Sequence, residues 1–221
     1  MTIKPAIIFD LGGVLIDWNP RYLYRQMFHH DEAIQNFIDE TNLLHWNEQQ
    51  DAGRPFAEAV KLLSADFPQY ENHIRAFHER WLEMVGGAID GTVEILQTLK
   101  NNDYELYALT NWSAETYPLA YERYEFLRWF RHVAVSGELK IIKPDPRIFH
   151  HLLSIINRPA NECIYIDDSH KNFLAAQNLG FRALHFQAPE QLQRDLSEQL
   201  KKAANHARET PPKITRNDSQ P

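Results

Sequence analysis

Acidic, hydroxyl and amide side chains stand directly after three apolar runs of the sequence. They are Asp10 after Ala6–Phe9, Thr110-Asn111 after residues 106–109, and Asp167-Asp168 after residues 163–166. A carboxylate at a strand end is suited to act as a nucleophile or a metal ligand, and a hydroxyl beside an amide is suited to hold a phosphate. Each stretch taken alone also fits a loop cap or a turn, so the chemistry depends on their combination.

The adjacent pair Asp167-Asp168 is the most informative of these stretches. Two neighbouring carboxylates repel each other, and a bound cation or a lysine relieves that repulsion. Lys143 is a separate candidate, because it precedes Pro144-Asp145-Pro146 and is better positioned there than an ordinary surface lysine. A solvated lysine remains the alternative for this position taken alone.

The apolar runs predict the elements that would position these side chains. Short continuous apolar runs are typical of strands buried on both faces of a parallel sheet. Two further runs, His132–Val135 and 183–186, add to the three above, and amphipathic stretches at 92–100 and Pro146–Ile156 separate them as helices. Asp145 is placed to cap the second of these helices. Strands that alternate with helices predict a doubly wound, Rossmann-like α/β domain with a parallel sheet.

The segment between the first two strands breaks this alternation. Residues 20–28, 31–42, 55–67 and 70–84 have helical patterns, and no strand pattern is evident there. We therefore expect an α/β core at 1–16 and 88–203 and an all-helical insert at 17–87, called here the cap segment. The prolines and scarce apolar residues of 204–221 predict a disordered tail.

Taken in order, the motifs resemble those of the haloacid dehalogenase superfamily. The resemblance extends from about residue 6 to residue 186, and the cap segment looks like the small helical cap of the first subclass. The most similar subgroup contains sugar-phosphate phosphatases, including glucose-1-phosphate phosphatases. The matching stretches are Phe9-Asp10-Leu11-Gly12-Gly13-Val14-Leu15, Leu109-Thr110-Asn111, Lys143-Pro144-Asp145-Pro146 and Tyr165-Ile166-Asp167-Asp168-Ser169.

The resemblance implies a Mg²⁺-dependent phosphatase that acts on a small phosphorylated metabolite, with a sugar phosphate expected. Asp10 would attack phosphorus and form an aspartyl-phosphate, which divides one difficult step into two. The Asp10 carboxylate, the Gly12 backbone carbonyl and Asp168 would hold Mg²⁺, a hard cation that prefers oxygen ligands.

Four further positions receive roles from the same resemblance. Thr110 and Asn111 would bind the oxygens of the transferring phosphoryl group. Lys143 would neutralise charge between Asp10 and the phosphate. Asp167 would orient Lys143.

Gly12 departs from the pattern, because most phosphatases of the superfamily carry an aspartate there that protonates the leaving group. General acid–base catalysis contributes about 10²–10⁴-fold. The leaving oxygen would depart largely unprotonated unless the cap segment supplies a proton, and Glu48 and Asp51 are the candidates. The stretch around them, from Trp46 to Arg54, is polar and aromatic. It is interpreted either as a loop that contacts the substrate or as a plain surface loop.

Three other functions stay open, and Gly12 favours the first and the third of them. A 2-haloacid dehalogenase uses the same nucleophile and needs no leaving-group proton, but without a cation Asp167-Asp168 would repel its carboxylate substrate. A phosphomutase is a second alternative. A catalytically silent binding or regulatory domain is the third, and the retained motif residues count against it.

Composition limits the partners. The net charge of −7 offers no basic surface for nucleic acid, and no run approaches the roughly 20 apolar residues of a membrane span. The single cysteine, Cys163, indicates a reducing compartment and a packing role. We therefore expect a cytoplasmic protein whose partner is a small phosphorylated substrate. The sequence leaves the oligomeric state open.

Overall fold

A computed structural model describes residues 4–209 and contains a central parallel sheet of five strands. Their order across the sheet is β5-β4-β1-β6-β7. The predicted doubly wound α/β fold is confirmed. The strands are β1 Ala6–Phe9, β4 Leu106–Thr110, β5 His132–Val135, β6 Cys163–Asp167 and β7 Arg182–His185.

Strand β1 lies at the centre of the sheet, between β4 and β6. Phe9 pairs with Ala108 on one side and with Ile166 on the other. All four residues of β1 are fully buried, which explains why its sequence is continuously apolar. The carboxyl ends of three neighbouring strands therefore meet at one edge of the sheet, where α/β proteins bind their ligands.

Helices cover both faces of the sheet. Helices α6 and α11 pack on the face that carries Ile7 and Phe9, and α9 and α10 pack on the face that carries Ala6 and Ile8. Asp145 accepts a hydrogen bond from Arg147 N (2.9 Å) and caps α9, as its sequence predicted. The helices outside the cap segment are α6 Asp90–Asn101, α7 Tyr117–Arg123, α8 Ser136–Leu139, α9 Pro146–Ile156, α10 His170–Asn178 and α11 Pro189–Glu209.

The cap segment is mostly helical, but it begins and ends on a small sheet that the sequence did not predict. Strands β2 and β3 pair antiparallel. β2 has three residues and β3 carries two glycines, so neither shows the alternation that predicts a strand. The elements are β2 Ile16–Trp18, α1 Arg21–Tyr24, α2 Asp31–Glu40, α3 Leu43–Asp51, α4 Phe56–Asp66, α5 Glu71–Glu79 and β3 Val85–Ala88.

Helix α3, Leu43–Asp51, replaces the loop that was predicted to begin at Trp46. Its second half, from Asn47 onwards, is entirely polar and has no apolar stripe that would predict a helix. Tertiary contacts hold it in place, since Trp46 and Gln50 are buried. The helix directs Asn47 and Asp51 inward, where both line a cavity.

The C-terminal helix α11 continues past residue 203 to Glu209, where a disordered tail was predicted. The rest of that predicted tail lies outside the described residues. Among residues 4–209, no helix combines the length and the apolar character needed to span a bilayer. Cys163 is fully buried in β6, as expected of a packing residue, and burial raises the pKa of its thiol to about 11.

Candidate active site

The strand ends bring three of the motifs together. Asp10 follows β1, Thr110 ends β4 and Asp167 ends β6, and these strands are neighbours in the sheet. Asp10 N donates to Ile166 O (2.8 Å), which extends the strand pairing as far as the carboxylate. The main chain thus fixes the base of each of these side chains.

Lys143 lies at the centre of the cluster and is completely buried. Its Nζ is 2.8 Å from Asp10 Oδ2 and 2.8 Å from Asp167 Oδ2, and it donates to Leu109 O (2.9 Å). Burial alone would lower the pKa of Lys143, but the charges of Asp10 and Asp167 outweigh it and raise that pKa. The lysine is therefore a fixed positive charge beside Asp10.

The Asn111 carboxamide holds the main chain of Lys143. Lys143 N donates to Asn111 Oδ1 (2.8 Å), and Asn111 Nδ2 donates to Lys143 O (3.1 Å). The sequence predicted that this side chain binds phosphate; its Nδ2 keeps a second N–H, and Asn111 lines the cavity described below, so that role stays a prediction. The hydroxyl of buried Thr110 and the main chain of Asn111 are the groups of that motif suited to an anion.

Asp167 is saturated with donors. Besides Lys143, its carboxylate accepts hydrogen bonds from the Tyr165 hydroxyl, Ser169 N (2.8 Å) and Asn172 Nδ2 (3.1 Å). Burial acts to raise its pKa, yet the Lys143 charge and these hydrogen bonds lower it overall. Asp167 is accordingly ionised and committed to its protein partners.

Asp10 and Asp168 are the two carboxyl groups of the site whose ionised forms are destabilised. Burial raises the pKa of Asp10 to about 7, with Lys143 opposing and the charges of Asp167 and Asp168 adding to the rise. Burial and the charge of Asp167 raise the pKa of Asp168 as well. Asp10, Asp167 and Asp168 each offer a carboxylate oxygen within 4.8 Å of the others. This crowding is what a divalent cation would relieve.

Gly13 allows the main chain to pass close to the Asp168 carboxylate. Its φ is +73°, and an added Cβ would lie 2.3 Å from Asp168 Oδ2. Only glycine lets the backbone pass so close to that carboxylate in this conformation. At Gly12, by contrast, an added Cβ would meet no atom within 4 Å. The donor set of Asp10, Asp168 and the main chain around Gly12 is all oxygen and fits a hard divalent cation.

A cavity of about 410 Å³, including its open mouth, adjoins the cluster. The cap segment contributes Asn47 and Asp51 to its wall. Sequence reasoning missed the tryptophans of this wall, although one directly follows Thr110-Asn111 and the other two lie within the cap segment, near its two ends. The lining residues are Gly12, Trp18, Asn47, Asp51, Trp81, Asn111, Trp112 and Thr116.

The other two cap residues singled out from the sequence lie elsewhere. Trp46 is buried among Phe56 and Phe77, and its indole N–H donates to Ala59 O (3.2 Å). It packs the cap segment instead of lining the cavity. Glu48 pairs with Lys171 (3.3 Å) and stands 3.3 Å from His45 Nδ1, so it links the cap segment to α10.

Comparison with known proteins establishes the family. The model of the haloacid dehalogenase-like hydrolase family matches residues 4–180. The chain therefore belongs to that family, and proteins named phosphatases are among its curated relatives.

Two curated relatives illustrate the range of names, identities and coverages among these matches. Flavin mononucleotide hydrolase 1 from Arabidopsis thaliana is 32% identical over half of this chain, which spans only 44% of that protein. Sesquiterpene phosphatase astK from Aspergillus oryzae is 28% identical over 83% of this chain and 90% of its own length.

Solved structures share the fold. A HAD family enzyme from Bacteroides thetaiotaomicron, in complex with magnesium and inorganic phosphate, superposes with a TM-score of 0.64 at 22% identity. The match covers 84% of this chain and 96% of that one. A dehalogenase also matches, with a TM-score of 0.59 at 18% identity over 84% of this chain and 86% of its own. At these identities the likeness establishes the fold alone.

Proposed function

We propose that the chain is a Mg²⁺-dependent phosphatase that hydrolyses a small phosphorylated metabolite through an aspartyl-phosphate on Asp10. The observation that carries this proposal is the 2.8 Å contact between Lys143 Nζ and Asp10 Oδ2 at the carboxyl edge of the sheet. A nucleophilic carboxylate must approach an anionic phosphate, and a buried positive charge beside it offsets their repulsion.

Each residue has a task in this mechanism. An oxygen of Asp10 forms a bond to phosphorus while the bond from phosphorus to the leaving oxygen breaks, and water later cleaves the aspartyl-phosphate. Thr110 and the main chain of Asn111 bind the phosphoryl oxygens, and Asp167 positions Lys143. Asp10, Asp168 and the Gly12 carbonyl would hold Mg²⁺, whose charge stabilises the transferring phosphoryl group when bound.

We expect the organic part of the substrate to occupy the cavity beside the carboxylate cluster, whose walls are aromatic and polar. Tryptophan faces pack against the apolar face of a sugar or against a flat ring, and Asn47 and Asp51 can bind hydroxyl groups. A sugar phosphate is the first choice from the sequence resemblance. The flavin and sesquiterpene phosphatase names among the relatives make larger apolar phosphates the next to test. A cytoplasmic location stays a prediction from the sequence.

A substrate screen tests the function. Purified protein is expected to hydrolyse 4-nitrophenyl phosphate with Mg²⁺ and to lose that activity with a chelator. A panel of sugar phosphates, flavin mononucleotide and isoprenoid phosphates then ranks the substrates. Chloride release from 2-chloropropionate without any phosphatase activity would contradict the proposal and favour a dehalogenase.

A further inference from the structure

We propose that Asp51 donates the proton to the leaving group, in place of the carboxylate that position 12 lacks. This inference rests on the proposed phosphatase function. Asp51 is the last residue of α3, and it lines the cavity together with Gly12 and Asn111. Gly12, two residues after Asp10, lines the sheet side of this cavity and Asp51 lines the cap side, so we infer that the Asp51 carboxyl group faces the part of the substrate that leaves.

The partners of Asp51 come from both sides of the cavity. Asn47 Nδ2 donates to Asp51 Oδ2 (3.1 Å) from one turn earlier in α3. Ser136 Oγ donates to Asp51 O (2.6 Å) and accepts from Trp112 N (2.9 Å), which ties the end of α3 to the loop after β4. The core therefore positions the main chain of Asp51, and Asn47 of the cap segment holds its carboxyl group.

Glu48, the other candidate from the sequence, is directed away. It precedes Asp51 by three residues on the same helix, but its carboxylate pairs with Lys171 and is not part of the cavity wall. The two carboxylates thus offer a matched comparison within one helix.

The electrostatic surroundings suit the proposed role. Burial, followed by the negative charge of Glu48, raises the pKa of Asp51 to about 7, while the Ser113 N–H and Lys143 lower it in part. A general acid is most effective when its pKa lies near the working pH. A large fraction of Asp51 is then protonated at neutral pH, unlike an ordinary surface aspartate.

The proton balance closes over the two steps. In the first step Asp51 gives its proton to the leaving oxygen as that oxygen separates from phosphorus, and Asp51 becomes a carboxylate. In the second step it takes a proton from the water that attacks phosphorus. The bond between Asp10 and phosphorus breaks, inorganic phosphate leaves, and Asp51 is protonated again.

The test compares alkyl and aryl phosphates, because an aryl oxide leaves readily without a proton and an alkoxide does not. Asp51→Asn is expected to lower kcat/KM for alkyl phosphates by about 10²–10⁴-fold and to change kcat/KM for 4-nitrophenyl phosphate little. It should also produce a burst of nitrophenol, since the second step loses its base. Retained aryl activity shows that the variant is folded.

Two further variants sharpen the comparison. Glu48→Gln is expected to keep the wild-type ratio of alkyl to aryl kcat/KM. Gly12→Asp combined with Asp51→Asn should recover alkyl turnover, because a side chain at position 12 has open space.

Three results would overturn the inference. In the first, Asp51→Asn lowers kcat/KM equally for alkyl and aryl phosphates. In the second, the wild type hydrolyses aryl phosphates but no alkyl phosphate. Both results leave the proposed phosphatase function intact. The third, absence of all phosphatase activity in the wild type, overturns the proposed function as well.

Discussion

Lys143 Nζ lies 2.8 Å from Asp10 Oδ2, and the lysine side chain has no solvent exposure. A charge in such a position is stable only while its partners remain, because an unpaired buried ion has a large desolvation cost. The contact that we propose prepares Asp10 for an anionic substrate therefore also contributes to the stability of the fold.

Replacing Lys143 should lower the stability of the fold. Lys143→Met leaves Asp10 and Asp167 without their shared cation, so we expect the free energy of unfolding to fall by about 3–5 kcal/mol. Lys171→Met is the control, since Lys171 forms an exposed pair with Glu48, and pairs of that kind contribute about 0–1 kcal/mol. Urea unfolding of both variants measures the difference. Equal losses would contradict the account of Lys143.

Gly13→Ala should damage the metal site through a steric clash with Asp168. Gly180 has a similar positive φ, +88°, but an added Cβ there meets no atom within 4 Å. Both variants should lose about 1–3 kcal/mol from backbone strain. Only Gly13→Ala should also raise the Mg²⁺ concentration needed for half-maximal activity. An unchanged Mg²⁺ requirement in a folded Gly13→Ala protein would count against the metal assignment.

Asp168→Asn tests the metal ligand directly. Removing one carboxylate should weaken Mg²⁺ affinity at least as much as the roughly 10- to 100-fold loss seen when an outer partner of a metal ligand is altered. Excess Mg²⁺ should then restore part of the activity. A Mg²⁺ titration of the rate on 4-nitrophenyl phosphate measures this, and a loss that no Mg²⁺ concentration relieves would refute a role in metal binding alone.

The sequence predicted the α/β core and the grouping of the motifs because both depend on strongly periodic or strictly local patterns. The burial of β1 requires an apolar run, and parallel neighbours bring Asp10, Thr110 and Asp167 to one edge. The roles of individual side chains there depend on contacts between distant segments. Nothing near Asn111 in the sequence indicates that its carboxamide would bind the main chain of Lys143.

The cap segment was harder to predict for a related reason. Helix α3 has a polar second half, so its helical state and its orientation come from packing. That orientation decides that Trp46 enters the interior of the cap segment while Asp51 enters the cavity. Local patterns therefore revealed the chemical groups available in this stretch but not which of them line the cavity.

The pH dependence of the substrate ratio should report Asp51. Its pKa is raised to about 7, so the proton it donates is present below that pH and is lost as the pH rises through it. The ratio of alkyl to aryl kcat/KM should fall as the pH increases through about 7, because steps common to both substrates cancel. In Asp51→Asn the ratio should be low and independent of pH. A falling ratio that persists in this variant would assign the titration to another group.

The central claim is that Asp10 carries the phosphoryl group during turnover. The most direct measurement is acid quenching of Asp51→Asn during hydrolysis of a labelled aryl phosphate with Mg²⁺, followed by mapping of the labelled peptide. We expect the label on the peptide that contains Asp10, and we expect Asp10→Asn to remain folded with no label and only background turnover. Near-normal turnover by Asp10→Asn, or turnover with no label on that peptide, would contradict the covalent mechanism.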